Sequence, residues 1–176
     1  MLFKELKIKG SFVISSTPYS DNRGVFRRNF CKIEFKNFFL NNSISQANIS
    51  ENIYKYTLRG FHYQIGKNAE AKTISCLNGK AYDIICDLRP NSQTYLKWVS
   101  VIISSENRKS IHIPKGCANA FLTLEKNTIL HYYSSNKYKP LSERGIKFDD
   151  KLFKFKWPHK PKYISQKDLR WKDFKI

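Results

Sequence analysis

The chain has 176 residues, 41% hydrophobic and 15% aromatic, enough for one domain (1–176) with a core, and this excludes a disordered chain. It contains no run of about 18 apolar residues, which excludes a helical membrane span, and Met1–Lys7 lacks the apolar core of a signal peptide, so the expected location is cytoplasmic. The formal charge is +18, but its basic residues are mostly lysines spread along the whole length rather than clustered, so no nucleic acid is expected as partner and the charge is read as steering a small anion.

In chain order, the first candidate element is a helix at Lys32–Leu40, where Phe35, Phe38 and Phe39 share a face. Next comes Leu58-Arg59-Gly60-Phe61-His62-Tyr63-Gln64, which sets a cation, a flexible glycine and an imidazole close together, with Lys72 soon after. Imidazole changes charge near neutral pH, so this grouping suits proton transfer beside an anionic group. Strand-like runs then dominate. In Ala81–Leu88, Tyr82, Ile84, Cys86 and Leu88 alternate with Asp83, Ile85 and Asp87, the period of a strand. Trp98–Ile103, Ser110–Ile113, Ala120–Leu124 and Thr128–Tyr133 continue the series. Turn signals separate them at Asn78-Gly79, Pro90-Asn91-Ser92, Pro114-Lys115-Gly116 and Glu125-Lys126-Asn127. The basic, aromatic stretch Lys151–Lys175 reads as a structural wrap with solvated lysines. Many short strands in a chain of this size predict an all-β fold, a jelly-roll barrel with a few short flanking helices and inward-facing polar residues. Cys31, Cys76, Cys86 and Cys117 have no C-x-x-C spacing and are expected as reduced, buried thiols.

A longer set of elements runs through the chain in order. It comprises Asp21-Asn22-Arg23-Gly24-Val25-Phe26, Gln46-x-Asn48-x-Ser50, Leu58–Gln64, Lys72, Asp87-Leu88-Arg89 and Ser92-x-Thr94 with Trp98. Ser105-Glu106-Asn107, Pro114-x-Gly116-x-Ala118, Tyr132, Glu143-Arg144, Trp157-Pro158 and Ser165-x-Lys167-Asp168 complete it. The set resembles the dTDP-4-dehydrorhamnose 3,5-epimerase family and its relatives acting on other nucleotide-linked 4-keto sugars. The resemblance implies a cupin-type jelly roll, no metal or organic cofactor, and a homodimer that exchanges N-terminal strands. It also implies an isomerase of surface-polysaccharide sugar biosynthesis.

The chemistry follows from residue types. In a 4-keto sugar the hydrogens on C3 and C5 are acidified by the carbonyl, so inversion needs a base on one face, an acid on the other and a stabiliser of the enolate oxygen. His62 is the candidate base. Asp168 resembles the family's acidic partner, Tyr132 its opposite-face acid and Lys72 its cation near the enolate. Tyr132 is chosen over Tyr133 because the resemblance aligns without a gap from Phe121 to Pro140. Arg59 and Arg23 resemble the diphosphate ligands, Arg23 reaching across the dimer; forked guanidiniums match a diphosphate well. Phe26, Gln46, Asn48, Glu143 and Lys167 are the remaining substrate-binding candidates carried over from the matching elements.

Two positions depart from the family pattern. Asn119 stands where the rhamnose-pathway enzymes usually carry a second histidine; it hydrogen-bonds but cannot carry a proton charge. Arg28 stands where the thymidine-nucleotide enzymes carry an acidic residue against the base. Arginine donates to guanine O6 and N7, which points to a GDP-linked keto sugar. Competing readings are a sugar ketoisomerase on the same fold and a non-catalytic sugar-nucleotide-binding or nucleic-acid-binding barrel. A metal-dependent cupin is disfavoured, because His62, His112, His131 and His159 are the only histidines and His62 is followed by Tyr-Gln rather than a second ligand.

Overall fold

The computed structural model describes residues 1–175. Its strands in chain order are β1 (Leu2–Glu5), β2 (Phe12–Ser15), β3 (Tyr19–Asp21), β4 (Gly24–Phe26), β5 (Gln46–Asn52), β6 (Thr57–Gln64) and β7 (Lys72–Asn78). They continue with β8 (Lys80–Asp87), β9 (Trp98–Ser104), β10 (Lys109–Ile113), β11 (Cys117–Thr123), β12 (Thr128–Ser134), β13 (Glu143–Gly145) and β14 (Tyr163–Ile164). Two short helices, α1 (Lys32–Asn37) and α2 (Gln166–Leu169), flank them.

The strands form two large sheets. The first has the order β1-β2-β10-β7-β12-β5 and the second β13-β6-β11-β8-β9, with β14 added in parallel beside β6. Consecutive strands repeatedly lie in different sheets, as a jelly roll requires. The sheets face each other over a core of Ile74, Ile85, Ile103, Ile111, Phe121 and Leu130, drawn from both. The two sheets are not closed into a barrel, and the mostly β architecture with a few short helices is the jelly roll expected.

Part of each outer face is covered as well. Phe12 and Ile14 of the first sheet lie under Phe35 of α1 and Leu40. Phe61, Ile84, Cys86, Ala118 and Ala120 of the second sheet lie under Phe153, Phe155 and Trp157 of the C-terminal stretch, which wraps as its composition predicts. The alternation in β8 is kept, yet both of its faces are buried: Ala81 and Ile85 join the inter-sheet core while Ile84 and Cys86 meet the wrap. Cys76, Cys86 and Cys117 are buried, Cys31 is partly exposed, and all four are free thiols.

The helix is shorter than expected. It ends at Asn37, and Phe39 takes a φ of 57° and is 98% exposed, so only Phe35 of the proposed apolar face is fully buried. The Asp87 motif is a turn clamp. Burial opposes the charge of Asp87, but its carboxylate accepts from Arg89 Nε at 2.8 Å, Ser92 Oγ at 2.6 Å and Thr94 Oγ1 at 2.7 Å, and these donors hold its carboxyl well below the usual range. The N-terminal strands β1 and β2 pair within the chain, β2 against β10. The β3–β4 hairpin pairs with neither large sheet.

Candidate active site

A cavity of about 870 Å³ opens between the sheets and is lined by Arg59, His62, Lys72, Asn119, Tyr132, Lys167 and Asp168, among others. Each sheet contributes to it in register. On β5, Gln46, Asn48, Ser50 and Asn52 share one face, and Asn48 lies directly opposite Tyr132 of β12. The second sheet supplies Arg59 and His62 from β6 and Asn119 from β11, with Asn119 opposite His62.

Arg59 and His62 are three residues apart and would face opposite ways on a regular strand. Between Asn119 and Phe121 the register shifts, so that Asn119 pairs with His62 and Phe121 with Arg59. This irregularity turns both side chains into the cavity. Gly60 sits inside it with a φ of 118°. A Cβ there would stand 2.6 Å from Ala120 Cα and Asn119 O, so the glycine serves close approach of backbone to backbone rather than the flexibility expected of it.

The C-terminal segment completes the site. Ser165 caps α2 by accepting from the Asp168 N–H, and Asp168 reaches back to β6. Its Oδ1 lies 2.6 Å from His62 Nε2, and its Oδ2 accepts from the Gly60 N–H at 3.4 Å. Burial pushes the Asp168 carboxyl up, but the imidazole hydrogen bond and charge and the Gly60 N–H outweigh it and hold it below the ordinary value. Asp168 is 3% exposed, while the His62 side chain is 29% exposed, so the imidazole is anchored on one side and open on the other. Trp171 stands edge-on to it at 6.3 Å.

Tyr132 comes from the opposite sheet. Burial raises its phenol above the ordinary value, Arg59 counteracts in part and Glu70 adds to the rise, so it is held protonated, as a proton donor must be. Tyr133, its neighbour, faces away, within 3.4 Å of the Asn29 amide. Lys72 Nζ lies 3.2 Å from Glu70 Oε1, 3.4 Å from the His62 carbonyl and 3.5 Å from Asn119 Oδ1. Asn119 Nδ2 donates to Asp83 Oδ2 at 3.3 Å, and complete burial raises the Asp83 carboxyl well above its ordinary value.

The structure brings His62, Tyr132, Asp168, Lys72, Arg59, Asn119 and Lys167 to one cavity. Glu143 stands at its edge, where Lys167 Nζ donates to both its oxygens at 2.6 Å and the Tyr138 hydroxyl donates to its Oε2 at 2.8 Å. Gln46 accepts from the Tyr138 N–H at 2.6 Å and so holds the loop of that tyrosine. Arg23, Phe26 and Arg28 lie apart from the cavity. Arg23 pairs with Asp21 at 2.7 Å at the hairpin tip, and Phe26 is 76% exposed. Arg28 donates to Glu34 at 3.0 Å rather than facing the cavity of its own chain.

Several further residues support the site. Asn52 accepts from Arg59 Nε at 2.8 Å and is itself fixed by donating to the Thr128 carbonyl. Extending the Gln46-x-Asn48-x-Ser50 alternation by one step reaches it. Asp83 is a charged residue in an apolar strand, a visible signal of an inward polar site. Glu70 and Trp171 carry no comparable sequence mark. Among the described residues no group of three or more His, Cys, Asp or Glu side chains is placed to hold a metal.

The family model for dTDP-4-dehydrorhamnose 3,5-epimerase matches residues 5–175. The dTDP-4-dehydrorhamnose 3,5-epimerase of Escherichia coli is 34% identical over 93% of this chain and 89% of its own. Among solved structures, the dTDP-4-dehydrorhamnose 3,5-epimerase of Elizabethkingia anophelis superposes with a TM-score of 0.94 at 33% identity, covering 99% of this chain and 96% of its own. The dTDP-6-deoxy-D-glucose-3,5-epimerase of Legionella pneumophila, solved in complex with dTDP-4-keto-L-rhamnose, gives 0.92 at 31% identity, covering 98% and 92%.

Proposed function

The chain belongs to the dTDP-4-dehydrorhamnose 3,5-epimerase family, and from that premise we propose that it inverts centres beside the C4 ketone of a nucleotide-diphosphate-linked sugar. The observation that carries this reading is the His62–Asp168 pair at 2.6 Å, open toward a cavity whose opposite wall holds Tyr132. A sugar ring lying between the sheets meets a base on one face and an acid on the other. His62 takes the proton from C3 or C5, and Asp168 stabilises the imidazolium formed. Lys72 meets the negative charge that gathers on the C4 oxygen. Tyr132 returns a proton to the other face of the carbon. Exchange with solvent then restores both groups, and the ketone stays at C4.

Arg59, held by Asn52, anchors the diphosphate, and Lys167 with Glu143 and Tyr138 lies toward the nucleotide. The nucleotide is a thymidine diphosphate in this reading, rather than the guanosine diphosphate suggested by Arg28. The engagement of Arg28 with Glu34 and the dTDP-sugar in the Legionella relative both support that choice. The protein works as a homodimer in which the β3–β4 hairpin, not β1 or β2, crosses to the neighbour. Its exposed Tyr19, Val25 and Phe26, with Arg23 at the tip, support this.

The test is incubation with dTDP- and GDP-linked 4-keto sugars in heavy water, followed by NMR. Deuterium at C3, C5 or both, with the ketone unmoved and dTDP preferred, is the expected result. A carbonyl shifted to C3 would indicate a ketoisomerase, and no exchange with either nucleotide would indicate a binding protein; either would overturn the reading.

A further inference from the structure

The motif Leu58–Gln64 ends on a residue that proton transfer does not use. Gln64 is 3% exposed and lies two residues beyond His62 on β6. Its side-chain amide is tied on every side. Nε2 shares its two hydrogens among Glu70 Oε2 at 2.6 Å and the carbonyls of Lys137 at 3.1 Å and Asn68 at 3.2 Å, while Oε1 accepts from the Lys139 N–H at 2.6 Å. Backbone on both sides of Tyr138 thus holds the glutamine, and the glutamine holds Glu70.

The other oxygen of Glu70 faces Lys72 Nζ at 3.2 Å, and the two side chains are only 8% and 14% exposed. This is the shortest of the three contacts to that ammonium; the His62 carbonyl and Asn119 Oδ1 stand at 3.4 and 3.5 Å. Asn119 is itself oriented by Asp83, so its oxygen turns to the lysine. A long, flexible side chain in a cavity loses rotamer freedom when it is fixed, and an acceptor that is itself rigid supplies the compensation before substrate arrives. Shielding from solvent makes the charge–charge contact stronger than its surface counterpart.

We propose that Glu70, clamped by Gln64, is a positioning residue that fixes the Lys72 ammonium where the enolate oxygen develops. It touches no reacting atom and acts through Lys72, so the inference rests on the reading of Lys72 as the enolate-facing cation. Because the charge on the sugar oxygen exists only beyond the ground state, misplacing the ammonium lowers kcat and leaves KM nearly unchanged. A loosened fold would move both.

The test compares Glu70→Gln, Glu70→Asp and Lys72→Gln for heavy-water exchange at C3 and C5 of the dTDP-linked 4-keto sugar. Glu70→Gln is expected to lose about tenfold in kcat with KM within about twofold, and Glu70→Asp, which keeps the charge, to recover part of that loss. Wild-type kcat in Glu70→Gln, or equal changes in kcat and KM, would overturn the proposal while a damaged Lys72→Gln left the role of Lys72 standing. A fully active Lys72→Gln would overturn both. Should Glu70→Gln not fold, Glu70→Asp decides: a kcat equal to wild type rejects positioning by Glu70.

Discussion

At the scale of single residues, two histidines show how environment separates roles. His62 keeps an open edge to the cavity and a carboxylate at its back. Replacing Asp168 by Asn keeps the shape but removes the charge that favours imidazolium, so kcat is expected to fall about a hundredfold or more with the melting temperature little changed; steady-state kinetics with calorimetry checks this. His112 does the opposite work. It is 2% exposed, 2.9 Å from Thr73 Oγ1, and burial lowers its pKa from 6.5 to about 4. It is therefore neutral in the fold, while the unfolded chain binds a proton below about pH 6.5. The unfolded state gains relative stability as pH falls, so the fold loses about 2 kcal/mol between pH 7 and pH 4.5 from this group. Urea unfolding at both pH values, in wild type and His112→Asn, is expected to show that part of the slope vanish in the variant.

At the scale of elements, β6 and β5 carry the main lessons. In β6 the register shift against β11, with Gly60 at its centre, aims Arg59 and His62 the same way. Gly60→Ala forces a Cβ to within 2.6 Å of β11 backbone and requires an alanine at positive φ. It is expected to cost about 3 kcal/mol and to lower kcat further by displacing His62, measured by denaturant unfolding and by kinetics on the folded fraction. The later strands are legible because their alternating apolar residues build the inter-sheet core. β5 is not, since its inward face is the polar set Gln46, Asn48, Ser50 and Asn52, of which Ser50 and Asn52 line the cavity. Hydrophobic periodicity reads burial in a core and is blind to a strand whose inner face is the site. The helix that begins at Lys32 is shorter than its three phenylalanines at helical spacing predict, because the left-handed Phe39 cannot continue it.

At the scale of the whole molecule, the C-terminal wrap unites stability and chemistry. Phe153 seals the outer face of the second sheet at 5% exposure, and its carbonyl accepts from Trp98 Nε1 at 2.9 Å. Phe153→Ala is expected to cost about 3–5 kcal/mol, with activity per folded molecule retained because the residue lies on the far side of the sheet from the cavity. The same segment then turns to deliver Asp168. The β3–β4 hairpin, outside both large sheets, exposes Tyr19, Val25 and Phe26. If it crosses between copies, Phe26→Asp is expected to shift sedimentation from dimer to monomer and to lower turnover together; an unchanged dimer would remove the hairpin from the interface.

The sequence by itself determined the family resemblance, and through it the expected reaction class, since an imidazole, an arginine, a lysine, a tyrosine and a carboxylate stand in one ordered set of motifs. It also determined the all-β architecture, because alternation records which residues a sheet must bury. Only the tertiary structure decided which of many lysines and glutamates act together. Glu70 reaches Lys72 and Gln64, Asn52 reaches Arg59, and Asp83 orients Asn119. These contacts depend on strand register, a β-irregularity and a tail that folds back over the sheet. Each arises from packing between segments far apart in the chain, where local pattern carries no information.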